Sequence, residues 1–353
     1  MRVILETTEN TSIPSQNEGY TAPATKVSTT LTQIGQWTDG TVSNEKYYPE
    51  SGSGSIFGKY ENFATGNNNG MSYIIRLEDG SFIIVDGGYG SNENVDKIYS
   101  VLSKQAEGKP IVIAAWIFTH AHNDHADAFK VFTEKYHTEV TIESFIYNFP
   151  TEKAAAVSGD SPNLDQITAA MAIHPKAKTV IAHAGQVHKI RNATVNILFT
   201  YDMMMPYKMI DYNATSVVFN VEIDGSTILF LGDAGGETDT IDGELSYMMD
   251  IYSAETLGAN IVQVAHHGID NHSKIDSFYS MISADVEYAL VPAASRFIRL
   301  DGPKYGYDLE ERSALSNLKN ADYYIAGNKV TVVTLNGNIN VVEYNTISDY
   351  TNS

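Results

Sequence analysis

Thr119-His120-Ala121-His122-Asn123-Asp124-His125 places three histidines and an aspartate within six positions. Imidazole and carboxylate are the donors that borderline divalent ions such as Zn²⁺ prefer. In an extended loop, residues two apart point the same way, which lets His120 and His122 grip one ion side by side. Asp124 and His125 stand one step further on, opening a helix expected over 127–135, and can face a second ion beside the first. Two more polar clusters follow apolar runs, Gly232-Asp233 and His266-His267-Gly268. Adjacent strand residues point to opposite faces, so one of His266 and His267 is expected to be the ligand.

Each cluster needs an element that ends at it. The run 111–118 is rich in Ile, Val and Trp and lacks turn residues, so it reads as a buried strand delivering the histidine loop. Strands over 71–77 and 81–85 flank Glu78-Asp79-Gly80, a hairpin signal, and lead into Asp86-Gly87-Gly88. Strands over 216–223 and 226–231 turn at Asp224-Gly225 and end at Asp233, and a strand over 261–265 ends at His266. Further strands are expected over 144–149, 179–182, 194–200 and 288–292, with a closing hairpin of 330–335 and 339–344 across Asn336-Gly337. Helices are expected over 94–105, 163–173, 245–253 and 309–318. Such strand-rich halves with helices between them imply two sheets packed face to face, helices outside, an α/β (α+β) fold.

The chain has 353 residues, 43% hydrophobic and 19% charged, enough for a substantial core. Residues 1–55 are rich in Ser, Thr, Asn and Gly and read as an N-terminal extension or linker, with 56–353 as one catalytic domain. Within the extension, 27–37 alternates weakly and reads as an edge strand or a segment packed across the domain. No run approaches the ~18 apolar residues of a membrane span, and the N-terminus lacks a full signal-peptide core. The formal net charge of −20 argues against duplex nucleic acid as a partner. It leaves open a small anionic substrate, because bound divalent ions set the local charge. There are no cysteines, so neither disulfides nor thiolate ligands are available. With 22 tyrosines this composition favours an extracellular or cell-surface bacterial protein over a cytoplasmic one.

His120-x-His122-x-Asp124-His125 resembles the metal-binding signature of the metallo-β-lactamase superfamily, H-x-H-x-D-H, with every defining position filled. Residues 71–342 resemble its competence-protein (DNA-internalisation) branch, through Asn213, Ser216, Gly232-Asp233, His266-His267-Gly268 and Gly337; His-His-Gly is also similar to the phosphorylcholine-esterase branch. The resemblance implies a four-layer αββα sandwich and a binuclear centre, with Asp233 bridging two ions and Asp86 orienting the metal loop from behind. It favours His267 as the second-site ligand, with His266 beside it as proton donor or substrate contact. Superfamily members often carry a third first-site histidine before the second hairpin, where this chain has Tyr201-Asp202-Met203-Met204-Met205-Pro206. His183 is the preferred substitute, with His188 and Asp202 as alternatives. The Met run, with Tyr201, Tyr207 and Tyr212, reads as a mobile apolar loop on the sheet, or as pocket lining. His137, His174 and His272 read as surface residues.

The expected activity is metal-dependent hydrolysis of a phosphoester or phosphodiester, with a metal-bound hydroxide held between two Zn²⁺ or Mn²⁺ ions as nucleophile. Asp124 holds an ion, and His266 helps protonate the leaving group. The alternatives are a lactone or β-lactam hydrolase, or a non-catalytic metal-binding surface protein of the same fold. No Gly-x-Ser-x-Gly elbow and no Walker loop occur to suggest serine or nucleotide chemistry.

Overall fold

The computed structural model describes residues 17, 19–36, 46–47, 60–61, 70–151, 164–204, 212–235, 243–268, 275–293, 298–299, 307–308, 317–318 and 320–353. Most of the helix expected over 309–318, together with Met205, Tyr207 and His272, lies outside the described residues.

The first sheet is assembled from β1 (Thr30–Ile34), β4 (Ser72–Arg76), β5 (Phe82–Asp86), β6 (Ile111–Ile117), β7 (Val140–Ile142), β8 (Ser144–Tyr147), β9 (Lys178–Ile181), β19 (Val330–Thr334) and β20 (Asn340–Tyr344). Its order is β20-β19-β1-β4-β5-β6-β8-β9, with β7 also on β6. Pairing is antiparallel from β20 to β5 and parallel from β5 to β9. The second sheet orders β10 (Val187–Ile190), β11 (Ala193–Phe199), β12 (Val218–Ile223), β13 (Ser226–Phe230), β14 (Ile261–Gln263), β15 (Tyr288–Val291) and β18 (Asp322–Ile325). It too changes from antiparallel to parallel, at β13. Two-residue ladders join β2 (Lys46–Tyr47) to β3 (Tyr60–Glu61), and β16 (Ile298–Arg299) to β17 (Tyr307–Asp308).

Helices α1 (Asn92–Ala106), α2 (Asn123–Tyr136) and α3 (Leu164–Ala172) share a core with the outer face of the first sheet, as does α7 (Ile347–Thr351) through Tyr350. Helices α4 (Glu244–Ile251), α5 (Ala254–Leu257) and α6 (Ile275–Ile282) flank the second sheet, with Leu245, Met248, Leu257, Phe278 and Ile282 in its outer core. A third core, including Tyr73, Ile75, Ile83, Phe219, Val221 and Phe230, fills the space between the sheets. These layers are an αββα sandwich. No helix among the described residues is long and apolar enough to cross a membrane.

Local chemistry explains the site-bearing elements. Strand β6 lies between strands in a parallel region and is buried along nearly its whole length, which is why its sequence is continuously apolar rather than alternating. Helix α1 starts where Ser91 accepts the Asn94 N–H, and it buries Val95, Ile98, Val101 and Leu102. The β12–β13 turn holds both Asp224 and Gly225 at positive φ, as a two-residue hairpin turn requires.

Several expectations differ. Strand β1 is not an edge strand: it pairs with β19 on one side and β4 on the other, well inside the first sheet, although it falls in the stretch read as an extension. Helix α2 begins at Asn123 rather than 127, so Asp124 and His125 sit in its first turn and not in an extended loop. A carboxylate is favoured at that end of the helix. Strand β14 stops at Gln263, and both His266 (φ 47°) and His267 (φ 54°) have left-handed backbone. The alternating-face argument therefore does not apply to them.

Candidate metal centre

The parallel strands of both sheets aim their C-terminal ends at one rim. There β5 presents Asp86, β6 the histidine loop, β13 Asp233, and β14 His266 and His267. The two sheets also touch here directly, as the Val217 N–H donates to the Thr119 carbonyl at 2.9 Å.

Asp233 Oδ2 is the common point. It lies 3.2 Å from His125 Nε2, 3.5 Å from His267 Nε2, 3.9 Å from His120 Nε2 and 4.0 Å from His266 Nε2. Around it two groups of ligand atoms form, His120–His122–Asp233 and Asp124–His125–His267, each with its atoms within 4.8 Å of one another. His120 Nε2 is 3.0 Å from His122 Nδ1, and His267 Nε2 is 3.3 Å from Asp124 Oδ2.

The opposite ring nitrogens are engaged outside the cluster, which fixes the tautomers. His125 Nδ1–H donates to Asp86 Oδ2 (2.7 Å) and His267 Nδ1–H to the Pro292 carbonyl (2.8 Å), acceptors that carry no proton. Thr119 donates its hydroxyl to Asp86 Oδ2 (2.7 Å) and so has a lone pair for His120 Nδ1–H at 3.1 Å. Asp86 Oδ1 takes the Thr119 N–H (2.8 Å), and the buried Asp86 itself adopts φ 53°, a conformation that non-glycine residues rarely hold. Three histidines thus turn Nε2 lone pairs inward. Asp233 Oδ1, buried, has no hydrogen-bond partner among the described residues. Inward lone pairs beside an unpartnered carboxylate oxygen are a donor set that fits divalent cations.

The carboxylates alone would hold protons on His125 and His267, which a bound cation would displace to reach their Nε2 lone pairs. Burial, reinforced by His125, holds His120 well below the usual imidazole pKa. Burial also opposes charging of His267, but Asp233 and Asp124 outweigh it and raise its pKa to about 10. His125 is raised likewise against burial, by Asp233 and Asp86. The same attractions hold Asp124 and Asp233 below the usual carboxylate range although burial opposes this.

His183 is brought into neither group. It follows β9 half-exposed, its Nδ1 2.8 Å from Asp202 Oδ2, while Asp202 Oδ1 accepts from Asn148 at 3.2 Å. His188 is buried on β10, on the same side as Ile190 of the inter-sheet core, with Nε2 3.2 Å from Gln186 Oε1. The place next to His120 and His122 is taken by Asp233, from the other sheet. His266 remains outside both groups, partly exposed, with Asn213 Nδ2 3.3 Å from its Nε2. Met203 and Met204 pack half-buried on the outer core of the second sheet, and Tyr212 is buried with its ring 5.2 Å from that of His122. His174 is not a plain surface residue, since its ring lies against Phe129 and Phe145.

Two buried glutamines escaped the sequence reading. Gln36 accepts the Tyr89 N–H and donates to the Gly87 carbonyl, bracing the loop after Asp86. Gln263 binds the backbone of Leu231 and Gly232, just before Asp233, and the Val264 carbonyl beside it. The available signal was a lone amide inside the apolar run Ile261-Val262-Gln263-Val264-Ala265, since a buried polar group needs partners.

The metallo-beta-lactamase fold protein YhfI from Bacillus subtilis is 13% identical, with 90% of this chain and 100% of that one covered at a TM-score of 0.47. A diphosphatase from the PhnP family is 13% identical over 74% of this chain and 85% of its own, TM-score 0.38. Zn(2+)-bound PqqB from Methylobacterium extorquens is 11% identical over 67% and 72%, TM-score 0.37. No curated protein matches the sequence. Residues 65–274, more than half of the chain, match the family described as the Metallo-beta-lactamase superfamily, and the chain belongs to that superfamily.

Proposed function

We propose that the chain is a binuclear metal-dependent hydrolase of phosphoesters, small phosphodiesters foremost. The observation that supports this is the sharing of Asp233 between two groups of ligands drawn from both sheets. His120, His122 and Asp233 would hold one ion, and Asp124, His125 and His267 the other, with Asp233 common to both. Zn²⁺ or Mn²⁺ bound there supplies Lewis acidity and lowers the pKa of water to ~7.

The chain's own groups do the rest. Asp86 and the Pro292 carbonyl keep Nε2 of His125 and His267 facing inward. His266, partly open to solvent beside Asp233, is placed to hand a proton to the leaving group, and Asn213 orients its ring. Two divalent ions bring roughly +4 of formal charge, against which Asp86, Asp124 and Asp233 set three negative charges. Counting a deprotonated water as well, the pocket is near neutral within a chain of net charge −20, with its positive charge concentrated at the ions, which suits an anionic phosphoryl group there. A long polyanion meets repulsion from the remaining surface instead.

Elemental analysis should give close to two ions per chain. No uptake after Zn²⁺ or Mn²⁺ reconstitution would sink the reading. Turnover is then compared, at matched metal loading, for bis-nitrophenyl phosphate, nitrophenyl phosphorylcholine, a lactone, a β-lactam and linear duplex DNA. The phosphoesters should dominate. Lactone or β-lactam turnover without phosphoester cleavage would overturn the substrate class and leave the metal centre standing.

A further inference from the structure

We infer that Gln263 is a positioning residue that sets the spacing between Asp233 and His267, and through it the affinity of the centre for its second ion. The inference rests on the metal reading above.

Strands β13 and β14 run parallel up to Phe230 and Gln263, and there the ladder stops. Beyond that point the chains diverge. Val264 donates its N–H away, to Leu290 on β15, and Gly232 bends at φ 56° toward the histidine loop. The Gln263 side chain fills the gap as an extra peptide unit would. Its Oε1 accepts the Leu231 and Gly232 N–H groups, both at 2.8 Å, and its Nε2 donates to the Gly232 and Val264 carbonyls at 3.0 and 2.7 Å. The His266 N–H closes the same knot on the Gly232 carbonyl at 3.0 Å. All four hydrogen bonds that a primary amide makes best are used, and the group is fully buried.

No other side chain of this size repeats the pattern. A glutamate has no donor for the two carbonyls when ionised, and a methionine has neither donor nor strong acceptor. Asp233 follows this knot by one residue, and His266 and His267 follow Gln263 by three and four. A change in the amide therefore alters the separation of two ligands that it never touches. Groups of this kind typically change metal affinity by about 10–100-fold.

The test compares wild type, Gln263→Glu and Gln263→Met with Leu257→Ala, a cavity variant in the outer core of the second sheet that controls for lost stability. Each is titrated with Co²⁺ against a chelator, recording the visible absorption spectrum. Wild type should take two ions. The Gln263 variants should bind the second about 10–100-fold more weakly with a changed spectrum, and Leu257→Ala should keep wild-type affinity and spectrum. Wild-type affinity and spectrum in both Gln263 variants would overturn the inference, as would equal weakening in Leu257→Ala. A wild type that takes no metal would overturn the metal reading and the inference with it. A second measurement needs no variant: in wild type labelled with ¹⁵N at glutamine side chains, the Gln263 amide should resist hydrogen exchange and shift on Zn²⁺ addition. A freely exchanging, unmoved amide would overturn the inference even if the variants fail to fold.

Discussion

His188 and Asp86 are both buried ionisable groups, and they differ in what surrounds them. Asp86 has partners on both oxygens and holds the histidine loop from behind. His188 has the side-chain amide oxygen of Gln186 within reach, and burial depresses its pKa to about 4. The sign of the linkage follows. Between the ordinary value near 6.5 and about 4, the unfolded chain binds the proton and the folded chain does not. Stability from this group is therefore complete above pH 6.5 and is lost as pH falls toward 4. The loss is on the order of 3 kcal/mol. His188→Leu should accordingly gain on wild type, by several degrees of melting temperature, between pH 7 and pH 4.5. Parallel melting curves across that range would show that the ring is not held neutral. The missing third first-site histidine left His188 as an alternative to His183, because a histidine facing a core and one facing a metal read alike in sequence. The loop of His120, His122, Asp124 and His125 was legible, since few structural needs place so many donors within six positions.

Gly232 shows how an element's end is fixed by its neighbour. A Cβ there would come within 2.8 Å of Thr119 Cβ and 2.9 Å of Ser216 Oγ, so this turn is pressed directly against the histidine loop. Gly225 also has positive φ but faces open space. Alanine at either position meets the left-handed penalty of roughly 1–2 kcal/mol, and only Gly232→Ala adds overpacking of about 1–3 kcal/mol. Urea melts should rank Gly232→Ala clearly below Gly225→Ala, with reduced metal uptake in the former alone. Equal melts would mean that the turn and the loop are not tightly packed. The strands legible in sequence, such as β6 and the β12–β13 hairpin, have long apolar runs or turn residues to bound them. Strands β10 and β18 were missed because four residues, polar at the two central positions or at the first, carry too little pattern. The conformation of His266 and His267 was illegible for another reason. Nothing local demands left-handed backbone there; the turn is tied to a distant partner, the Gly232 carbonyl that accepts the His266 N–H.

At the scale of the molecule, the candidate ligands come from both sheets: His120, His122, Asp124 and His125 from the first, Asp233 and His267 from the second. Ions bound among them would act as a clasp at one end of the sandwich. Binding to the folded state alone stabilises it by about 4 kcal/mol at a free ion concentration 1,000 times Kd. Chelation should lower the melting temperature, added Zn²⁺ should restore it, and amide exchange should rise first at Thr119 and Val217, which bridge the sheets. A melt unchanged by complete metal removal would show that the sheets are held together without the ions. The two-sheet layering was legible from strand-rich halves separated by helices. The place of β1 was not, because its partners are long-range and its own stretch is compositionally plain.

That strand has a consequence for how the protein is made. Thr30 pairs with Thr334, about 300 positions further along the chain, whereas its other neighbour, Arg76, is synthesised soon after it. On the ribosome β1 can join β4 early, but its far side stays an open, hydrogen-bonding edge until almost the whole protein has emerged. Such edges recruit foreign strands, and distant pairings form slowly. Premature termination between residues 268 and 329 therefore yields chains that can carry every candidate metal ligand and still be prone to aggregate.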